Sequence, residues 1–311
     1  NAFKNCFNIT AISIPGTVKT IGKSAFEGDY NIQTVELAEG ITSIGDRAFA
    51  SSVKIKSVTL PASLTTLGKD VFYGCTALAS IDVAEGNPSF SIDNGVLYNG
   101  TKLIKYPEGN TSVSYELLPT TTEIEENAFR SNKNLDTVVL NDGLKTIGAF
   151  AFCEATGLMT VGPFNTVETI KEYAFSGCGK LNISDLGDSL KTIEKCIFEN
   201  CPNITDDELP NTVESIDEDA FSRCPSIASI TVDEGGENYS SVDGVLYNAD
   251  KTVKAYEHFD MPLLLAVDKV YAKIRNEKYR YITQQQTLFP EEVQQYDADL
   301  VKEVINNCIA I

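Results

Sequence analysis

A phenylalanine, preceded in most units by alanine, returns every 23 residues along this 311-residue chain. Phe3, Phe26, Phe49 and Phe72 keep that spacing, and after one longer gap Phe129, Phe152, Phe175, Phe198 and Phe221 keep it again. Self-similarity at such a period marks a solenoid, in which each unit buries its apolar face only against its neighbours. A chain of this kind offers one long surface instead of a deep pocket. Binding is therefore expected before chemistry.

Other columns hold the same register. Six residues after each Phe stands an aliphatic, from Ile9, Ile32 and Ile55 through Leu78, Leu135 and Leu158 to Ile204 and Ile227. Further apolar positions follow, as in Leu78-x-x-Ile81-x-Val83 and Ile227-x-x-Ile230-x-Val232. The alternation that ends each triad fits a strand with one face turned inward. Pro15, Pro61 and Pro210 come just after such strands, where proline stops extension. A second apolar pair precedes the Phe, as in Leu64-x-x-Leu67-Gly68 and Val213-x-x-Ile216.

The combined pattern Leu-x-x-Ile-x-Val … Leu-x-x-Leu-Gly-x-x-Val-Phe-x-x-Cys, carried by Leu78–Val83 and Leu64–Cys75, resembles the BspA-like, Treponema-type leucine-rich repeat. The resemblance spans residues 1–257. It implies a repeat solenoid, a right-handed leucine-rich repeat superhelix with a parallel β-sheet on one face and otherwise irregular structure. It also implies a surface-exposed or secreted protein of a host-associated bacterium or parasite, of a kind credited with adhesion. No catalytic residues accompany the family.

Departures from the pattern carry information. Gly22, Gly45, Gly68 and Gly148 follow the second apolar pair, but Glu125, Lys171, Glu194 and Asp217 take that place elsewhere. The column is thus a permissive turn that does not require positive φ. Ser184 and Asp207 stand where other units are apolar. Asp207 is expected either to be turned outward by a local bulge or to join Asp185, Asp206 and Glu208 in an acidic notch that binds a partner.

Two gaps in the period share a design. Asn94-Gly95-Val96-Leu97-Tyr98-Asn99-Gly100 parallels Asp243-Gly244-Val245-Leu246-Tyr247-Asn248-Ala249, and both sit in phase with the repeat. Asn99-Gly100 between apolar stretches is a hairpin signal. Hairpin inserts are therefore expected at about residues 86–118 and 235–257. They bring in Phe90, Tyr98, Tyr106 and Tyr115, then Tyr239, Tyr247 and Tyr256. Two readings stand for these rings: packing for an extended loop, or interface anchors, with Tyr98, Tyr106, Tyr247 and Tyr256 as the candidates.

A formal charge of −19 removes nucleic acid and anionic membrane surfaces as partners, because both need clustered Lys and Arg. Cys6, Cys75, Cys178, Cys201 and Cys224 all lie three residues after a repeat Phe, where Asp29, Ser52 and Asn132 also occur. Side chains in such a ladder point in parallel at about 4.8 Å spacing, so they are expected as free, half-buried thiols and not disulfides. With one histidine, His258, and no Cys-x-x-Cys, neither a zinc site nor a Ser-His-Asp arrangement is expected. The loop Asp233–Asn238 lacks the ligand order of a calcium loop. No cofactor is expected.

Residues 258–311 leave the period. Leu264, Val267, Val270, Tyr271 and Ile274, then Val293, Tyr296, Leu300 and Val304, approximate helical stripes. They are expected to cap the stack or to begin another domain. Asn1 starts inside a repeat, so both ends read as truncated and the surface location rests on the resemblance. Outward strand positions such as Ser13, Thr59, Thr137 and Ser229 are small and polar, and tryptophan is absent. The expectation is a non-enzymatic, surface-displayed module binding a host protein or extracellular matrix. The alternatives are a structural spacer presenting another domain, or an intracellular scaffold.

Overall fold

The computed structural model describes residues 2–249 and 253–255, except Ser184, Thr205, Glu218, Ser222, Arg223, Pro225, Ser226, Ala228, Asp243 and Gly244. The expected helical segment 258–311 lies outside the described residues. Inside them each 23-residue unit makes one turn of a β-solenoid from two extended stretches and a corner. The first stretch is the end of the apolar triad. In Ser57–Leu60, Val58 and Leu60 are buried while Ser57 and Thr59 face solvent, the two-residue alternation of a half-buried strand. Neighbouring strands pair in parallel one period apart, with Ala11 opposite Thr34, Val58 opposite Ile81 and Val138 opposite Val161. This is the expected sheet.

A second parallel sheet lies on another face. The apolar pair before each Phe lays down two-residue strands, Thr20–Ile21, Ser43–Ile44 and Thr66–Leu67, and later Glu123–Ile124, Thr146–Ile147, Thr169–Ile170, Thr192–Ile193 and Ser215–Ile216. Ile44 pairs with both Ile21 and Leu67, so a single buried residue per turn registers this sheet. Among the described residues there is no helix.

The third corner holds the Phe column. Phe129, Phe152 and Phe175 stack with ring centroids 4.7 and 5.1 Å apart and planes within 11° of parallel. Phe3, Phe26, Phe49 and Phe72 form the same ladder at 5.2, 5.4 and 5.9 Å. Each stacked pair adds about 0.5–1.5 kcal/mol beyond the area it buries. The chain reaches this corner by two left-handed residues per turn. One stands two before the Phe, as at Ser24, Arg47, Asp70, Asn127, Phe150, Tyr173 and Cys196; the other stands two after it, as at Gly28, Ser51, Gly74, Ser131 and Gly177. The Gly22, Gly45, Gly68 and Gly148 column has no positive φ, as its Glu and Lys replacements imply.

The cysteine column is a row of hydrogen-bond donors. Cys75 Sγ donates to Phe49 O at 3.2 Å, Cys178 to Phe152 O at 3.1 Å and Cys201 to Phe175 O at 3.0 Å, each reaching the preceding turn. Ser52 Oγ makes the same bond to Phe26 O at 3.2 Å. None of the seven described cysteines is in a disulfide. Burial pushes the thiols of Cys75 and Cys201 up to about 12, so they are protonated donors and poor nucleophiles.

The first insert is three strands: Phe90–Asp93, Val96–Asn99 and Lys102–Lys105. Two tight turns join them. Asn94-Gly95 links Asp93 to its partner Val96, and Gly100-Thr101 links Asn99 to its partner Lys102. The last strand then enters the narrow sheet, Leu103 opposite Ile124. The middle strand divides the core. Leu97 packs into the N-terminal cluster with Val58, Phe72 and Ile81, whereas Val96 and Tyr98 pack into the C-terminal cluster with Phe129 and Val138. Lys105 and Glu108 make a buried ion pair at this partition, 3.1 Å apart with side chains 9% and 3% exposed. Glu108 Oε1 also accepts from Gly74 N at 3.0 Å. In the turn before, the equivalent Ser51 N donates to a backbone carbonyl, Tyr73 O. The carboxylate thus replaces a missing rung.

The second insert repeats the design with Tyr239–Val242, Val245–Asn248 and Val253–Ala255. Leu246 is fully buried in the C-terminal cluster and Tyr239 packs against it. The bulge expected at Asp207 is absent. Asp206–Leu209 pairs with Ser229–Val232 through four successive partners, Asp207 opposite Ile230, and an unbroken register has no room for an extra residue.

Candidate interaction surface

The solenoid offers three faces, and the two sheet faces are chemically plain. Ser57, Thr59, Ser114, Glu116 and Thr160 are exposed on the wide sheet. Hydroxyls bridge neighbouring turns, as in Thr137 Oγ1 to Thr160 Oγ1 at 3.0 Å. Basic side chains are commonly held by an acid on an adjacent turn: Lys4 by Glu27 at 2.9 Å, Lys145 by Glu168 at 2.8 Å and Lys102 by Glu123 at 2.7 Å. A recess of about 30 Å³ opens at the partition between Leu67, Asp70, Ile104 and Asn127. That is room for a water or two and not for a metabolite. Among the described residues no three His, Cys, Asp or Glu side chains form a group able to hold a metal ion.

The insert tyrosines divide between the two readings. Tyr98 and Tyr106 are each 1% exposed and belong to the core, so neither ring is offered to a partner. The Tyr98 hydroxyl meets that of Tyr115 at 2.8 Å, and Tyr115 donates to Asp93 Oδ2 at 3.1 Å. Tyr106 is the ladder residue of its own turn. Its ring stacks on Phe129 at 5.1 Å and its N–H donates to Ala128 O at 2.9 Å, the bond to the next turn that Phe26, Phe129 and Phe152 also make. Packing consumed these two because the insert is a partition inside the stack and not an arm projecting from it. Tyr247 is half-buried, and Tyr256 lies outside the described residues.

The acidic candidates fall in neighbouring turns. Asp185 is exposed, with Oδ1 accepting from Gly187 N at 2.6 Å in a local turn. Glu208 is exposed one period later, and Asp206 opens the same strand. No hydrogen bond joins Asp185 to Glu208 among the described residues.

Partly buried arginine and aromatic side chains collect instead at the corner. Arg47 lies over the Tyr73 ring at 5.4 Å, and Arg130 lies over Tyr73 at 5.2 Å and over Phe150 at 5.1 Å. Phe150 stacks on Tyr173 at 5.0 Å, 5° from parallel. All five side chains are half-exposed, and together they form a ridge of alternating cationic and aromatic plates. The geometry follows from the backbone. At Arg47, Phe150 and Tyr173 the left-handed residue two before the Phe turns its side chain to the surface, whereas Ser24, Asn127 and Cys196 in the same column are buried. Arg47, Phe150 and Tyr173 sit at φ 56°, 55° and 54°, a region that costs an L-residue roughly 1–2 kcal/mol.

The charges on the ridge are unequally matched. Arg47 donates to Glu27 Oε1 through Nη2 at 2.9 Å and approaches Asp70 Oδ2 at 3.9 Å. Lys4 and Ser24, joined by Arg47, hold the Glu27 carboxyl down at about 2. Arg130 makes no ion pair among the described residues; its Nη1 donates to Asn127 Oδ1 at 3.2 Å and its Nε is buried without a partner. Beneath Tyr173 lies Cys196, whose thiol contact pushes the phenol up. Spacing alone did not single out these residues, because two interleaved columns build the ridge and neither has a constant residue type.

Comparison with known proteins agrees with this architecture. The family model described as BspA type leucine rich repeat region matches residues 1–118 and 122–242. No curated protein matches the chain. Among solved structures, the pneumococcal vaccine antigen PcpA is 28% identical with a TM-score of 0.65, over 73% of this chain and 64% of that one. A leucine rich cell surface protein from Faecalibacterium prausnitzii is 26% identical with a TM-score of 0.68, over 75% and 62%. A leucine-rich repeat protein from Eubacterium ventriosum, 21% identical with a TM-score of 0.53 over 71% and 78%, shares the fold. The chain spans less than two thirds of the first two. With most of its length matched by the family model, this chain belongs to the BspA-type leucine-rich repeat family.

Proposed function

We propose that this chain is a non-enzymatic interaction module displayed at the cell surface, where it binds a protein of the host cell or extracellular matrix. The observation that carries the reading is the corner ridge: Arg and aromatic side chains, the composition of interface anchors, stand half-exposed where the fold asks only for a turn. Two similar structures support surface display, since one is described as a cell surface protein and the other as a vaccine antigen. The small polar sheet faces favour a second reading, a spacer that holds another domain away from the cell.

The deciding experiment is binding of the purified chain to immobilised matrix proteins and to epithelial cells across a salt series. Saturable binding supports recognition. Absence of binding at micromolar concentration removes it in favour of the spacer.

A further inference from the structure

We propose that the ridge from Arg47 through Tyr73, Arg130 and Phe150 to Tyr173 is the docking surface, and that it receives a linear segment bearing a lone carboxylate beside an aromatic or aliphatic side chain. This rests on the protein-binding reading above and says where the partner sits and what it carries.

Strain and exposure argue for the place. The corner needs a left-handed residue, and Asn127 and Asp70 supply one of the types that adopt it readily. Phe150 and Tyr173 supply the worst types, bulky rings at positive φ that also stay half in water. A folding requirement would favour asparagine at both positions. Strained residues that stability does not ask for mark functional sites.

Charge argues for the chemistry. Arg47 is already met by Glu27 and Asp70. Arg130 is held flat between two rings with no carboxylate beside it among the described residues, although the chain carries 44 acidic side chains. With Nη1 giving one hydrogen to Asn127 and Nε buried, Arg130 keeps Nη2 and the other Nη1 hydrogen for an end-on, fork-shaped bond to a carboxylate. The net charge of −19 repels an acid-rich partner, so the fit is to one carboxylate flanked by apolar groups and not to an acidic run. Phe150 lies next to Arg130 with Tyr173 stacked against it, and this pair of rings takes the apolar neighbour.

The test is selection of a random linear peptide display library on the wild-type chain. Synthetic copies of the selected peptides are then measured against R130Q, F150N and Y173N. Enriched peptides should place Asp or Glu next to Phe, Tyr, Leu or Ile, and R130Q and Y173N should each lose at least about tenfold in affinity. Relief of the backbone offsets the lost Phe150–Tyr173 stack, so F150N and Y173N should melt close to wild type, and lost binding would then not be lost fold; were the ridge merely structural, both would melt far lower. Peptides that bind all three variants as well as wild type would overturn the location while leaving the binding reading intact. Enriched peptides without a carboxylate would overturn the chemistry. Failure to enrich any peptide would overturn a linear-segment ligand, and the matrix and cell assay would then judge the broader reading.

Discussion

Replacing Phe152 with alanine tests whether the corner ladder holds the solenoid together. Phe152 is fully buried and has a ring on each side, Phe129 at 4.7 Å and Phe175 at 5.1 Å. A phenyl ring buries on the order of 200 Å², worth about 5 kcal/mol at 25 cal/mol per Å². Alanine retains part of that, and measured Phe-to-Ala losses in cores run at about 3–5 kcal/mol. Collapse into the gap is blocked, since the flanking rings are fixed by their own turns through bonds such as Phe129 N to Ala151 O at 2.7 Å. We therefore expect about 4 kcal/mol. In an array coupled only through neighbours, loss of a central plate weakens both flanking interfaces. Urea unfolding followed by circular dichroism should then split into two transitions. Phe3 is the control: it is 48% exposed and has one neighbour, Phe26 at 5.2 Å. Its replacement by alanine should cost about 1–2 kcal/mol on the same area scale and leave one transition. Equal losses for F3A and F152A, or a loss below about 2 kcal/mol for F152A, would refute the ladder as the main axial coupling.

Two other residues make sharp tests. Lys105→Met strands Glu108 as a buried, uncompensated charge and should cost about 3–5 kcal/mol, while the double change K105M/E108Q, which keeps an oxygen for Gly74 N, should recover most of it; additive losses in a denaturant cycle would argue against the pair. Asp29 is fully buried in the column where other turns place a thiol, a hydroxyl or an amide, with Oδ1 accepting from Cys6 N and Oδ2 unpartnered. Burial raises its carboxyl above the ordinary 3.8. The stabilisation from the neutral acid is thus complete below 3.8 and is lost as pH climbs through the raised folded value. Asp29→Asn should remove that loss and stabilise the chain at neutral pH by about 1–3 kcal/mol. Parallel stability–pH curves for the two proteins would show that Asp29 is already ionised in place.

The period, the wide sheet and the free thiols were legible because each depends on one residue recurring in one column. Tyr106 was equally legible and was missed. It stands 23 residues before Phe129, so the ladder count placed it in the core, but its loop-like surroundings hid that. The first reversal has Asn94-Gly95 as its two turn residues, whereas the second turns at Gly100-Thr101, one residue past the Asn99-Gly100 signal, because Asn99 pairs with Lys102. The ridge was not legible. What recurs two residues before the Phe is a backbone angle, filled by Ser24, Arg47, Asp70, Asn127, Phe150, Tyr173 and Cys196 in turn. A column defined by φ leaves no residue-type trace unless glycine fills it, as Gly28, Gly74 and Gly177 do two residues after the Phe.

That difference also explains why recognition chemistry should gather at the corner and not on the sheets. On a parallel sheet, side chains of one column stand about 4.8 Å from their copies on both sides. Like charges are penalised at that distance, whereas hydroxyls bond to each other, as Thr137 and Thr160 do at 3.0 Å. The outward positions of the wide sheet are therefore mostly hydroxyls, with exposed acids such as Glu36, Asp82 and Glu116 set among them. At the corner two columns interleave, so Arg130 fits between Tyr73 and Phe150 and unlike plates meet face to face. Variation there leaves the ladders intact, because the bonds that register each turn, such as Phe150 N to Glu172 O at 3.0 Å, run through the backbone. The stack can therefore keep its period while the ridge changes its ligand.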